Sequence, residues 1–185
     1  MRAVIGLGNP GKEYSESRHN AGFIFVQGLA RAWKVRIKKK KYFSKIAEVE
    51  GEGGRVILAL PQTYMNRSGV AVSQLLKGMR VKAENIVIVY DDLDIPLGSI
   101  RVRKQGGPGT HKGMASVIQE IKTTRFPRIR LGIGPLPPEQ DATEYVLSIF
   151  PRTEKLLLEK SLTQAQEALE MILAGEVERA MNCFN

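Results

Sequence analysis

His19 is the residue whose setting most suggests catalytic work. It is flanked by Arg18 and Asn20 and stands just before a stretch of helical apolar spacing. A neutral imidazole held by a carboxylate can take a proton from water near neutral pH. The acids available for that partnership are Asp91, Asp92 and Asp94, and residue type alone does not choose among them. Asp94 precedes Ile95-Pro96-Leu97-Gly98 and also fits the start of a turn. Asn9 and Asn66 each bring an amide donor and an acceptor, suited to fixing a peptide-like group or a developing oxyanion. No Ser or Cys lies in a nucleophile motif, so direct attack by water is the economical chemistry.

Other chemistries fit less well. Gly6, Gly8 and Gly11 match GxGxxG after a strand. However, Pro10 and Lys12-Glu13-Tyr14-Ser15 do not open an apolar helix that could sit under a pyrophosphate. No acid ends a second strand roughly 20 residues on, where a ribose would be held. A nucleotide-dependent oxidoreductase would bind NAD saturably, and that separates it from a hydrolase. Paired aspartates could bind magnesium, but no phosphate-cradling loop with Lys and Ser/Thr accompanies them. His19 and His111 are the two histidines and neither lies in HExxH spacing, so no metal site is expected. The lone Cys183 excludes a disulfide framework.

The elements that must position these residues alternate in type. Ala3–Ile5, Val56–Leu60, Ile86–Val89 and Ile129–Ile133 are short, β-branched-rich runs that read as buried strands, and 43–49 alternates as a further one. Helical spacing marks 19–33, 68–77 and 110–122. A long stretch from Thr153 follows Leu157, Ser161, Ala165, Leu169 and Ile172, with Gly175 as its stop. Strands alternating with helices predict one α/β domain over residues 1–185, with a twisted, mostly parallel (mixed) sheet flanked by helices. Sites in such sheets lie beyond the carboxyl ends of the strands. Asn9, Asn66 and the acid cluster each follow a strand, so all are expected at one edge.

The chain carries 28 Lys+Arg against 19 Asp+Glu, a net charge of +9. The excess is uneven, because residues 151–185 hold 4 basic and 6 acidic residues. From Ile95 to Pro138 there are 8 basic residues and the single acid Glu120. Arg101, Arg103 and Lys104 lead into a glycine loop that opens a helix, and Arg125, Arg128 and Arg130 form a second group. This pattern suits a phosphate backbone such as that of a nucleic acid. Lys38–Lys41 reads as an exposed loop. No apolar run approaches the roughly 18 residues of a membrane span, and the chain reads as cytoplasmic.

Taken together, Gly6-Leu-Gly-Asn-Pro-Gly-Lys-Glu-Tyr14, Arg18-His-Asn-Ala-Gly22, Pro61-Gln-Thr-Tyr-Met-Asn-Arg-Ser-Gly69 and Asp91-Asp-Leu-Asp-Ile-Pro-Leu-Gly98 resemble the motif blocks of bacterial-type peptidyl-tRNA hydrolase. Arg128–Gly134 and Tyr145–Pro151 continue the likeness in order along nearly the whole chain. The resemblance implies a monomeric α/β enzyme without a cofactor. It would hydrolyse the ester joining a peptide to tRNA and so recycle tRNA from abandoned translation. It also implies roles for particular residues: His19 as the base, Asp91 orienting it, and Asn9 and Asn66 positioning the ester. Arg101, Arg103 and Arg130 would hold tRNA phosphate, and Tyr14 and Met65 would wall the peptide cleft. The chain departs from the family pattern Gly-Gly-His-Asn-Gly, having Gly109-Thr-His-Lys-Gly113 instead. Lys112 therefore stands where the family holds the tRNA 3′ end and water with an asparagine, and a lysine donates but cannot accept. Substrate affinity is expected to change while activity remains. An RNA-binding protein on the same fold, like the family's organellar splicing-factor relatives, is the rival expectation. Hydrolysis of an N-acylated aminoacyl-tRNA discriminates the two.

Overall fold

A computed structural model describes every residue except Glu52, and the described residues form one seven-stranded sheet flanked by six helices. The strands are β1 (Arg2–Gly6), β2 (Lys39–Lys41), β3 (Ser44–Gly51), β4 (Gly54–Pro61), β5 (Ile86–Pro96), β6 (Ile100–Arg103) and β7 (Arg128–Gly134). Their order is β2-β3-β4-β1-β5-β7-β6. The central pairs β4–β1, β1–β5 and β5–β7 are parallel, and the outer pairs β2–β3, β3–β4 and β7–β6 are antiparallel. The expected mixed sheet is the one that forms.

Alternation along the strands divides the core in two. On one face Val4, Val87, Val89 and Leu131 pack with Phe25, Val26 and Leu29 of α1 (Ala21–Ala32) and with Ala165, Leu169 and Ile172 of α5 (Lys155–Leu173). On the other, Ile5, Ile57, Ile86 and Ile88 meet Val72 and Leu75 of α2 (Ser68–Met79) and Met114 and Val117 of α3 (Lys112–Ile121). Leu157 departs from its expected place, being 44% exposed; in the first turn of α5 it is Leu158 that packs against the core. Gly175 ends this stretch with φ +90°, as its position just past the periodic residues implies.

Four stretches differ from the sequence reading. Lys38–Lys41 is not simply a loop, since Lys39–Lys41 is edge strand β2, exposed and paired to β3. Lysines on an edge oppose further strand addition, which explains a strand with no apolar residue. Two helices carry too little periodicity to be read, α4 (Ala142–Leu147) and α6 (Val177–Phe184). The first spans six residues and is set by its cap, the Asp141 carboxylate accepting from the N–H groups of Thr143 and Glu144. Finally, β5 does not stop at Val89. It outruns β1, whose last pair with it is Gly6–Val89, and continues along β7 through Asp91 and Asp92. The acids are thus strand residues whose side chains take opposite faces.

Helices α2 and α3 cross at Gly69, where a β-carbon would strike the carbonyl of Ser116. Gly69 N–H also donates to Ser116 Oγ at 3.0 Å. Helix propensity alone would favour Gly69→Ala by about 1 kcal/mol. Packing opposes it, since the obstructing atom is backbone and cannot rotate away. Urea unfolding should show Gly69→Ala less stable by roughly 1–3 kcal/mol. A gain in stability would show that the crossing can open without cost.

Candidate active site

Asp91 lies at the edge of the sheet where β5 has passed the end of β1, and its carboxylate is 2% exposed. Two imidazoles close on it, one from each face. His19 sits in a single 3-10 turn, Arg18–Asn20, that leads into α1. Its Nδ1 is 2.8 Å from Asp91 Oδ2 and 3.0 Å from Oδ1. His111 caps the N-terminus of α3, and its Nε2 is 3.0 Å from Asp91 Oδ1. The rings lie 5.0 Å apart.

Neighbouring bonds determine which nitrogens carry protons. The Met114 N–H donates to His111 Nδ1 at 3.1 Å, so that nitrogen must be unprotonated and Nε2 carries the hydrogen toward Asp91. At His19 the carboxylate takes the Nδ1 hydrogen, which leaves the Nε2 lone pair for a proton. Burial by itself would push the Asp91 carboxyl up. Attraction to His19 and His111 and the hydrogen bonds from both outweigh it and hold the group well below the ordinary carboxylate range. Tyr90, whose ring meets His111 edge-on at 4.8 Å, is pushed up by burial and stays a neutral phenol.

The turn bearing His19 is anchored by its neighbours. Arg18 is 5% exposed, yet its charge is matched by Glu154 Oε2 at 2.6 Å. Its guanidinium also lies over the rings of Tyr145 and Phe150, at 4.4 and 5.0 Å from their centroids. Ser148 accepts from Arg18 Nε, and its carbonyl accepts from the Arg18 N–H. The stretch Tyr145–Pro151 is thereby the clamp that holds His19 in place. On the other side, Asn20 Oδ1 accepts from the Asn9 N–H at 2.8 Å and Asn20 Nδ2 donates to the Asn9 carbonyl at 3.0 Å. Asn9 Oδ1 in turn accepts from the Met65 N–H at 2.8 Å. Asn9 therefore ties three loops together through its backbone and its side-chain oxygen, and keeps only its Nδ2 for a ligand.

The remaining expected residues fall in different places. Asn66 is exposed in the turn after Met65, within the same cluster of loops. Met65 itself is 4% exposed and packs into the core, while Tyr14 is half-buried in the loop after β1. Lys112 is exposed as the first residue of α3, beside His111. Asp92 is turned to the opposite face from Asp91 and pairs with Arg130, Nε to Oδ2 at 2.6 Å. Asp94 is exposed. Arg101 and Arg130 are direct cross-strand partners, as are Arg103 and Arg128. Arg128 does not belong to a basic surface. It is 1% exposed, lies over the Phe126 ring, and donates to the carbonyls of Gly107 and Thr124, bracing the glycine loop. Arg101 is half-buried and donates to the Phe184 carbonyl, so Arg103 is the most open of the three proposed phosphate contacts.

The glycine-rich stretch after β1 opens no helix under a phosphate, since the first helical turn begins at Arg18. His19, Asp91 and His111 place three ligand-type atoms within 4.8 Å of one another. A cation there would have to displace the hydrogens that both imidazoles share with the carboxylate. His111 went unrecognised from sequence, where the available signal was its position two residues before Gly113, at a helix start.

The model of the peptidyl-tRNA hydrolase family matches residues 3–185. The chain belongs to that family. A peptidyl-tRNA hydrolase of Sulfurihydrogenibium sp. is 44% identical over 186 residues, covering 100% of this chain and 97% of the relative. One of Carboxydothermus hydrogenoformans is 43% identical over 185 residues, covering 100% and 98%. The crystal structure of the peptidyl-tRNA hydrolase from Acinetobacter baumannii superposes with a TM-score of 0.91 at 37% identity, covering 98% of this chain and 93% of that one. Among the described residues no helix is long and apolar enough to cross a membrane.

The Asp91 cluster has a consequence for acid stability. In the unfolded chain an aspartate takes up its proton near pH 3.9, while the folded Asp91 stays ionised to lower pH. The unfolded state then binds more protons, so this stabilisation is present above about pH 4 and is lost as the pH falls further. Urea unfolding should show Asp91→Asn losing less stability than the wild type between about pH 5 and pH 3. Parallel curves would mean that the cluster carries no such linkage.

Proposed function

We propose that this protein hydrolyses the ester between the peptide and the 3′-terminal adenosine of peptidyl-tRNA, with His19 as the base. The observation that supports this most is the buried Asp91 carboxylate engaging His19 Nδ1, which leaves Nε2 to accept a proton. Water bound at Nε2 attacks the ester carbonyl carbon while its proton passes to the imidazole, and the carbonyl oxygen becomes an oxyanion. Asp91 stabilises the imidazolium. Asn66 and the free Nδ2 of Asn9 serve as amide donors to the substrate near that oxygen. The tetrahedral intermediate then collapses, the bond to the ribose 3′ oxygen breaks, and the imidazolium returns the proton to that oxygen. The products are free tRNA and the peptide acid, which releases its remaining proton to solvent as the carboxylate. Met65 and Tyr14 line and support the peptide side, and Arg101, Arg103, Arg130 and Lys112 supply charge toward the RNA. The same reading takes residues 1–185 as one domain, acting as a cytoplasmic monomer without a cofactor.

The decisive assay is release of N-acyl amino acid from an N-acylated aminoacyl-tRNA. The wild type should cleave it, and His19→Ala should not while still binding tRNA. Asp91→Asn should lower kcat by on the order of 10²- to 10⁴-fold. If neither wild type nor His19→Ala cleaves but both bind, the protein is an RNA binder and Lys112 is the first residue to revert to asparagine.

For the phosphate contacts the environments predict a ranking. Arg103→Ala should raise KM more than it lowers kcat and reduce the salt slope of binding by about one contact. Arg130→Ala should cost more, because it also uncovers the carboxylate of Asp92 beside the RNA. Arg101→Ala should cost least, since that guanidinium is partly committed to the Phe184 carbonyl. Equal losses in kcat at every salt concentration would remove these residues from phosphate binding.

A further inference from the structure

Strand β6 carries two of the candidate phosphate contacts in a setting that opposes its own place in the sheet. It is 4 residues long, lies at the edge and pairs only with β7. Directly across that pairing Arg101 meets Arg130 and Arg103 meets Arg128, so two like-charge pairs share one face. Like charges opposite one another weaken a strand pair. On β7, Asp92 engages Arg130, and the carbonyls of Gly107 and Thr124 hold Arg128. On β6, neither Arg101 nor Arg103 is in an ion pair among the described residues.

What holds β6 in place comes from its outer side, where α6 runs along it. Val177 and Ala180 share a core cluster with Ile100 and Val102, and Lys104, the residue after the strand, meets Glu178 at 2.5 Å. Beyond the other end of the helix, Asn185 Oδ1 accepts from the Val102 N–H at 2.8 Å and Asn185 Nδ2 donates to the Val102 carbonyl at 3.0 Å. One side chain thereby makes both bonds that a neighbouring strand would make at that residue. Because the Val102 groups point away from β7, the backbone groups that bond β7 are those of Arg101 and Arg103. Asn185 thus grips β6 midway between its two arginines, and the Phe184 carbonyl accepts from Arg101 at 3.3 Å.

We propose that Asn185 is a positioning residue for tRNA, its amide holding β6 against β7 so that Arg103 is already in place for a phosphate. The inference rests on the phosphate reading of Arg101, Arg103 and Arg130 above. Charge gathered for a polyanion repels the strand that bears it until the polyanion arrives. An amide supplies the missing cohesion and neutralises none of that charge, whereas a carboxylate there would compete with phosphate and repel the Val102 carbonyl. His19 and Asp91 are held by other elements, so a loosened β6 leaves the reacting groups as they are. The strand must instead be ordered when RNA binds, and that cost falls on affinity.

The test is kinetics with an N-acylated aminoacyl-tRNA. Asn185→Ala should raise KM on the order of 3- to 5-fold with kcat unchanged. Asn185→Gln, which keeps both bonding groups, should recover most of that affinity, and Asn185→Leu, of similar size without them, should recover none. Beside Arg103→Ala, adding Asn185→Ala should raise KM no further, because the two act through one contact. Hydrogen exchange should show the β6 amides of free Asn185→Ala opening faster and regaining protection when deacylated tRNA binds. An unchanged KM in Asn185→Ala overturns the proposal. So does a loss carried by kcat, or one that persists in full beside Arg103→Ala, since either makes Asn185 a general structural contact. If Arg103→Ala itself leaves KM and the salt slope unchanged, the phosphate reading falls and this inference with it. An effect at Arg103 with none at Asn185 removes this inference alone. Should the wild type cleave no ester, the same variants compared by filter binding of deacylated tRNA decide the matter.

Discussion

A carboxylate with almost no contact with water survives as an anion only if donors replace the solvent it has lost. Asp91 is that group, and its donors come from the two opposite layers of the molecule, His19 ahead of α1 and His111 at the cap of α3. The requirement reaches outward. For His19 to be in place, Arg18 must be buried against Glu154, Tyr145 and Phe150. For His111 to be in place, α3 must approach α2 closely enough that position 69 has no side chain. The strands do the rest, since β5 extends past β1 far enough to present the carboxylate at an open edge.

The two aspartates at 91 and 92 show how one step along a strand separates roles. Successive side chains point to opposite faces. Asp91 therefore meets the histidines, while Asp92 meets Arg130 and accepts the Asp94 N–H. A pair of adjacent acids that could have shared a metal is thus split into a buried anion and a partner for a half-buried arginine. The basic residues are sorted by the same geometry. Arg128 is inside as a brace, Arg101 is tied to the C-terminal segment, and Arg103 is left to solvent.

Asparagines perform the joining that backbone does elsewhere. Asn20 bonds both polar groups of the Asn9 peptide, as a neighbouring strand would, and Asn9 passes the connection to Met65. The loops after β1 and β4 and the turn before α1 are therefore joined by hydrogen bonds beside the His19–Asp91 pair.

The local rules of the chain were enough to determine the α/β alternation, the buried strands and the long helices, because apolar period and β-branching act within a few residues. They also brought forward His19 and the acid cluster, and the motif blocks pointed to the family. Choosing Asp91 from residue properties alone was beyond them. That choice depends on where β1 ends relative to β5, a comparison between strands eighty residues apart. His111 was invisible for a related reason, since its work depends on α3 beginning opposite Asp91 from the far face of the sheet. The fate of each arginine was undecidable in the same way. Burial, pairing and exposure are properties of what lies across the sheet, and only the tertiary structure brings those neighbours together.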